Sequence, residues 1–267
     1  MKNCVSEDSV HCAAVVAEAR SVCGRLMERA GSQLSKPVHA SRWPSCASAV
    51  ALLRRARPAL LDEYRPLMVA GDGNCLYRSV SLLLYGTESY HELLRLTTAV
   101  EILCNQQWYD TTHPNCRCPF RDERRLFLPD YQQLCADTAT DGAYSDMLTI
   151  YALSRAINRP IQTFFPPLGS GGLDASPYTR LMNCAAPGRP LTVMWSTAGK
   201  VPAVGQVDIN HFVPLVKIQS AGCGVTPAVV HVVDDSDEHA AATVDDSQLP
   251  ELDEHVIAAG LAMSVIY

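Results

Sequence analysis

Gly71-Asp72-Gly73-Asn74-Cys75-Leu76-Tyr77-Arg78-Ser79-Val80 turns sharply and then starts a helix. Two glycines around an aspartate, followed by asparagine, form a dense turn signal. From Cys75 to Tyr85 the apolar residues Leu76, Val80, Leu83 and Leu84 follow helical spacing, and Gly86 stands where a helix C-terminal glycine belongs. The reading therefore puts Cys75 at a loop-to-helix junction. A helix N-terminus carries about half a positive charge and several free N–H groups. Both favour a thiolate, so the Cys75 pKa is expected to fall below the free value of about 8.5. The same N–H groups, with those of Gly73 and Asn74, can face an oxyanion forming on an attacked carbonyl. No lysine follows at the spacing of a nucleotide cradle.

Working outward, residues 1–57 read as a helical extension or lobe, with helices expected over Ser9–Met27, ended by Gly31, and over Ala47–Arg57. Residues 58–218 read as the main body. Within it a long helix is expected over Glu88–Trp108, a polar loop over Asp110–Pro129 and a helix over Ser145–Asn158, with Asp146 suiting the dipole. Short β-rich runs follow at Ile161–Phe165, Tyr178–Met182, Leu191–Trp195 and Phe212–Ile218. The order points to an α/β or α+β layer arrangement. Residues 219–250 form an acidic linker, and 251–267 turn apolar again as a short helix.

An activated cysteine needs a base, usually a histidine remote in sequence. The best placed is His211, in Asn210-His211-Phe212-Val213-Pro214-Leu215-Val216, at the mouth of an expected strand.

Composition narrows the setting. The 267 residues carry 22 Lys+Arg against 28 Asp+Glu, a formal net charge of −6. That argues against a nucleic-acid binder, which needs a basic surface. No stretch approaches the roughly 20 apolar residues that span a bilayer, and MKNCVSEDSV places acids where a signal peptide needs its apolar run, so neither secretion nor membrane insertion is expected. The eleven cysteines are odd in number and scattered, unlike a disulfide scaffold, so an intracellular setting, cytoplasmic or nuclear, is expected. Cys104, His113, Cys116 and Cys118 lack the pair spacing of a structural zinc site, and neither a metal nor any other cofactor is expected.

Asp72-Gly73-Asn74-Cys75-Leu76-Tyr77-Arg78-Ser79 resembles the cysteine block of the ovarian tumour (OTU) family of deubiquitinating cysteine proteases, and Asn210–Val216 resembles its histidine block. The likeness covers roughly residues 60–218. Met194-Trp195 and Pro177-Tyr178 are similar to the OTU-like region of vertnin-type proteins, some of which lack the cysteine. The resemblance implies an OTU-like α/β fold, a small central β-sheet packed between helices. It implies isopeptide hydrolysis at the C-terminus of ubiquitin or polyubiquitin, with Cys75 as nucleophile, His211 as general base and acid, and Asp72 shaping the loop. A catalytically silent scaffold, or a protease for a ubiquitin-like modifier, are the alternatives.

Many members of the family carry the third, imidazole-orienting residue two positions after the histidine, where this chain has Val213. Asn210 and Asp208 are candidates close in sequence, although strand alternation turns position 210 away from 211. Asp62 or Glu63 are upstream alternatives. The tail Glu251–Val265 is similar to a ubiquitin-interacting motif, with Ile257, Gly260, Leu261 and Ser264 on one side of a helix; Gly260 stands where the motif has alanine, which costs about 1 kcal/mol of helix propensity.

Overall fold

A computed structural model describes residues 7–33, 38, 42–166, 177–199 and 209–218. Among the described residues seven α-helices and five short strands run, in chain order, α1 (Glu7–Gln33), α2 (Ala47–Ala56), α3 (Leu60–Glu63), β1 (Tyr64–Pro66), α4 (Cys75–Tyr85), α5 (His91–Cys104), α6 (Tyr131–Ala139), α7 (Met147–Ala156), β2 (Ile161–Phe164), β3 (Leu181–Met182), β4 (Leu191–Ser196) and β5 (His211–Lys217). The strands form one sheet in the order β1-β5-β4-β2-β3, antiparallel except for the parallel β2–β4 pair.

The period-two pattern of the strands splits the core into two layers. Phe212 and Val216 of β5, with Val193 and Trp195 of β4, face the large cluster built on α4, α5 and α7. Val213 and Leu215, with Met194 and Phe164, face Ala49, Leu52 and Leu53 of α2. The sheet thus lies between helices, as the resemblance implied.

Helix ends follow local chemistry. Gly86 is left-handed at φ 75° and its N–H closes α4 onto the Leu82 carbonyl. Asp146 and Asp130 accept hydrogen bonds from the Thr149 and Gln133 N–H groups and so start α7 and α6. Several elements differ from expectation. Helix α1 runs through Gly31 to Gln33: nothing lies within 4 Å of a side chain added at Gly31, and packing of Ala19 and Cys23 on Val100 of α5 outweighs the local propensity cost. The expected Glu88–Trp108 helix starts at His91 and stops at Cys104, where Asn105 leaves helical geometry before a 3-10 turn at Gln106–Trp108. Helix α6 and strand β1 are additions, both too short to announce themselves by periodicity.

Candidate active site

The loop before α4 is held by its own polar side chains. Asp72 Oδ1 accepts the Asn74 N–H at 3.0 Å, an Asx turn that sets Cys75 as the first residue of the helix. Gly73 has φ +83°, and a Cβ there would lie 1.7 Å from the Gly142 carbonyl oxygen, so the two backbones touch and only glycine fits. The Asp72 carboxylate is gripped by Arg78 one helical turn on, with Nη2 at 2.6 Å, and Arg78 also reaches Glu88 at 3.5 Å. Burial opposes ionisation of Asp72, but Arg78 and the Asn74 N–H outweigh it and hold the carboxyl well below the usual range.

Cys75 is 2% exposed and its Sγ accepts the Phe212 N–H at 3.4 Å. Phe212 follows His211, so the sulfur is bound to the strand that carries the imidazole. The expected fall in the thiol pKa is corrected: burial pushes it up, and the charge of Asp72 adds to that, against the pull of the Phe212 and Leu76 N–H groups. Helix-start donors are present, but the thiol is too far from water for them to win.

His211 opens β5 and is 4% exposed. Its ring lies over Gly71, where a Cβ would stand 3.7 Å from both Cε1 and Nδ1. Burial lowers its pKa, opposed by Asp72 and the Val69 carbonyl. Asp72 therefore acts electrostatically on both members of the pair. Burial thus disfavours both the thiolate and the imidazolium. Nδ1 is buried with no hydrogen-bond partner among the described residues.

The candidates for a third member divide. Asn210 Oδ1 accepts the Ala198 N–H at 3.0 Å and so ties the β4–β5 connection. Asp208 lies outside the described residues. Val213 is fully buried against α2. Asp62 and Glu63 sit at the far end of β5, where the Glu63 carbonyl receives the Ile218 N–H, roughly 20 Å along the strand from His211.

Asn74 is a cross-link rather than a free donor. Its N–H is taken by Asp72, its amide donates to Asp141 at 3.0 Å and its oxygen accepts from Arg95 at 2.9 Å. Of the two loop residues named for the oxyanion, Gly73 is the one whose N–H has no hydrogen-bond partner among the described residues. Sequence reasoning missed Arg95, Asp141, Gly142 and Tyr144. Tyr144, 42% exposed, stacks on Phe212 at 5.7 Å and closes an aromatic wall with Trp195 beside the thiol. A lone arginine inside the apolar run Leu93–Leu96 was the one available signal. The tail residues Ile257, Gly260, Leu261 and Ser264 lie outside the described residues. No three His, Cys, Asp or Glu side chains converge as a metal site among the described residues.

Residues 66–196 match the family model described as the vertnin OTU domain. The match spans β1 to β4 and stops short of His211. No curated protein matches the chain. Among solved structures, the OTU domain of OTUD1 is 21% identical over 64% of this chain and 95% of that one, with a TM-score of 0.41. The viral OTU domain protease from Dera Ghazi Khan virus is 20% identical over 60% and 85%, at 0.39. The Hazara virus OTU, in a structure bound to ubiquitin, is 14% identical over 60% and 86%, at 0.38.

Proposed function

We propose that the chain, whose residues 66–196 match the vertnin OTU domain model, is a thiol-dependent deubiquitinase that hydrolyses the isopeptide bond at the C-terminus of ubiquitin. The observation that carries this reading is the bond from the Phe212 N–H to Cys75 Sγ, which ties the α4-initial thiol to the strand that His211 opens.

The neutral resting pair sets the order of events. As the substrate carbonyl reaches Sγ, the thiol proton passes to His211 and the S–C bond forms. The oxyanion faces the N–H groups of Gly73 and Cys75, fixed in advance by the Asx turn and by the Gly73–Gly142 contact. Collapse breaks the C–N bond, and His211 returns the proton to the leaving lysine amine. His211 then takes a proton from water, whose oxygen attacks the thioester, and the thiol reclaims a proton as the carboxylate leaves. Asp72, already paired with Arg78, stays ionised and organises the loop.

A second reading, a catalytically silent OTU-like ubiquitin-binding or scaffold module, draws support from an Nδ1 with no partner among the described residues, the valine at 213 and the depth of Cys75. Ubiquitin carrying a C-terminal electrophile separates the two. Covalent labelling of the wild type that Cys75→Ala abolishes supports the protease; no labelling of the folded wild type supports the scaffold. A panel of modifiers with the same electrophile tests a preference for a ubiquitin-like protein.

A further inference from the structure

Arg95 projects from the first half of α5 into the space between two loops and is 6% exposed. Its Nε donates to Asn74 Oδ1 at 2.9 Å, and Nη2 to the carbonyls of Gly73 at 3.1 Å and Ala143 at 2.9 Å. Nη1 reaches the carbonyls of Thr140 at 2.8 Å and, at the end of α6, of Asp137 at 3.2 Å and Thr138 at 3.4 Å. The guanidinium face lies 4.5 Å from the centre of the Tyr77 ring. Among the described residues no carboxylate lies within 4 Å of it, so a buried cation is held wholly by neutral oxygens.

A buried charge without a counter-ion is costly unless every donor is satisfied. Here the five-donor fork is matched by six acceptors, which only a planar guanidinium can do. A simple core position would be filled as well by leucine or methionine. The acceptors also share one property: all belong either to the two residues before Cys75 or to the segment 137–143, which leads into Tyr144. Gly73 and Gly142 meet backbone to backbone beside them.

We propose that Arg95 is a positioning residue that clamps the Cys75 loop to the 137–143 segment, fixing the Gly73–Cys75 peptides for the oxyanion. The clamp rests on the protease reading for its purpose, not for its existence. It acts on the transition state, so its loss lowers kcat and leaves the binding of ubiquitin untouched.

The test uses the full chain and ubiquitin bearing a C-terminal fluorogenic amide. Arg95→Lys keeps the charge but cannot span the acceptors. It should lower kcat at least tenfold, with KM within twofold of wild type and faster hydrogen exchange at residues 73–75 and 140–143. Gly142→Ala, which pushes a methyl to 3.2 Å from the Asp72 carbonyl oxygen without touching α5, should move kcat in the same direction and serves if Arg95→Lys does not fold. Unchanged kcat in Arg95→Lys, or in Gly142→Ala where that variant is the one that folds, overturns the proposal, as does a loss confined to KM. Should wild type cleave nothing, the protease reading fails, and exchange alone decides the clamp. Unaltered protection at 73–75 in the variant then refutes it, and lost protection upholds it.

Discussion

At the residue scale, burial dominates the chemistry of the pair. It pushes the Cys75 thiol above its ordinary value and the His211 imidazole below its own. A base with a lowered pKa stays neutral further into acid, and a thiol with a raised pKa stays protonated further into alkali. The kcat/KM profile should therefore hold a broad plateau, with its acid limb below about pH 6.5 and its alkaline limb above about pH 8.5. An acid limb above about pH 6.5 or an alkaline limb below about pH 8.5 would contradict a neutral resting pair. Gly73 carries the tightest steric demand. Gly73→Ala combines a positive φ with a Cβ 1.7 Å from the Gly142 carbonyl oxygen, so it should destabilise the fold by more than 1 kcal/mol. Chemical denaturation measures that shift, and a variant as stable as wild type would mean that the 137–143 segment yields freely. The turn before Cys75, the helix that Cys75 starts and the strand at His211 were legible because turns, helix starts and strand starts are local signals; the loop-shaping part of Asp72 came only from the resemblance. The contacts of Arg95 were not, since all its acceptors but Asn74 Oδ1 are main-chain carbonyls, some 22 to 48 positions away, and carbonyls carry no sequence identity.

At the scale of elements, the long periodic helices and the β4 and β5 runs could be read directly, whereas β1, three residues long, exists only because β5 offers it a partner. The same holds for α6, which the sequence reading passed over although Asp130 marks its start. Helix α2 is the element whose role the sequence left open, and its packing answers that. Ala49, Leu52 and Leu53 cover the face of the sheet formed by Phe164, Met194, Val213 and Leu215. Truncating one of these leucines leaves a cavity between helix and sheet. Leu53→Ala should cost about 2–5 kcal/mol, read as a lower denaturant midpoint with an unchanged slope. A cost under 1 kcal/mol would make α2 an appendage rather than part of the sheet's core. The match to the vertnin OTU domain begins at residue 66, after this helix, so its contribution to stability is a property of this chain to be measured and not inherited.

Across the whole molecule, the net charge of −6 conceals two unlike regions. Residues 219–267 hold nine acids and no lysine or arginine, so they carry −9, and residues 1–218 carry +3. The acidity that argued against a nucleic-acid partner thus belongs to the tail and not to the sheet and helices that bear Cys75. Its last part, 251–267, pairs acids with Ile257, Gly260, Leu261 and Ser264 at helical spacing. If that segment holds ubiquitin, it adds a weak second contact, tethered to the first by a linker. Tethering raises the local concentration of a chain's other units without altering the chemistry at the thiol. The consequence is specific. A chain ending at residue 240 should cleave polyubiquitin with KM raised several-fold and kcat unchanged, while a single ubiquitin bearing a fluorogenic amide is turned over as by the full chain. Equal KM for polyubiquitin in the two forms would exclude the tail from substrate binding. A loss on the single ubiquitin as well would instead place the segment against the body near Cys75.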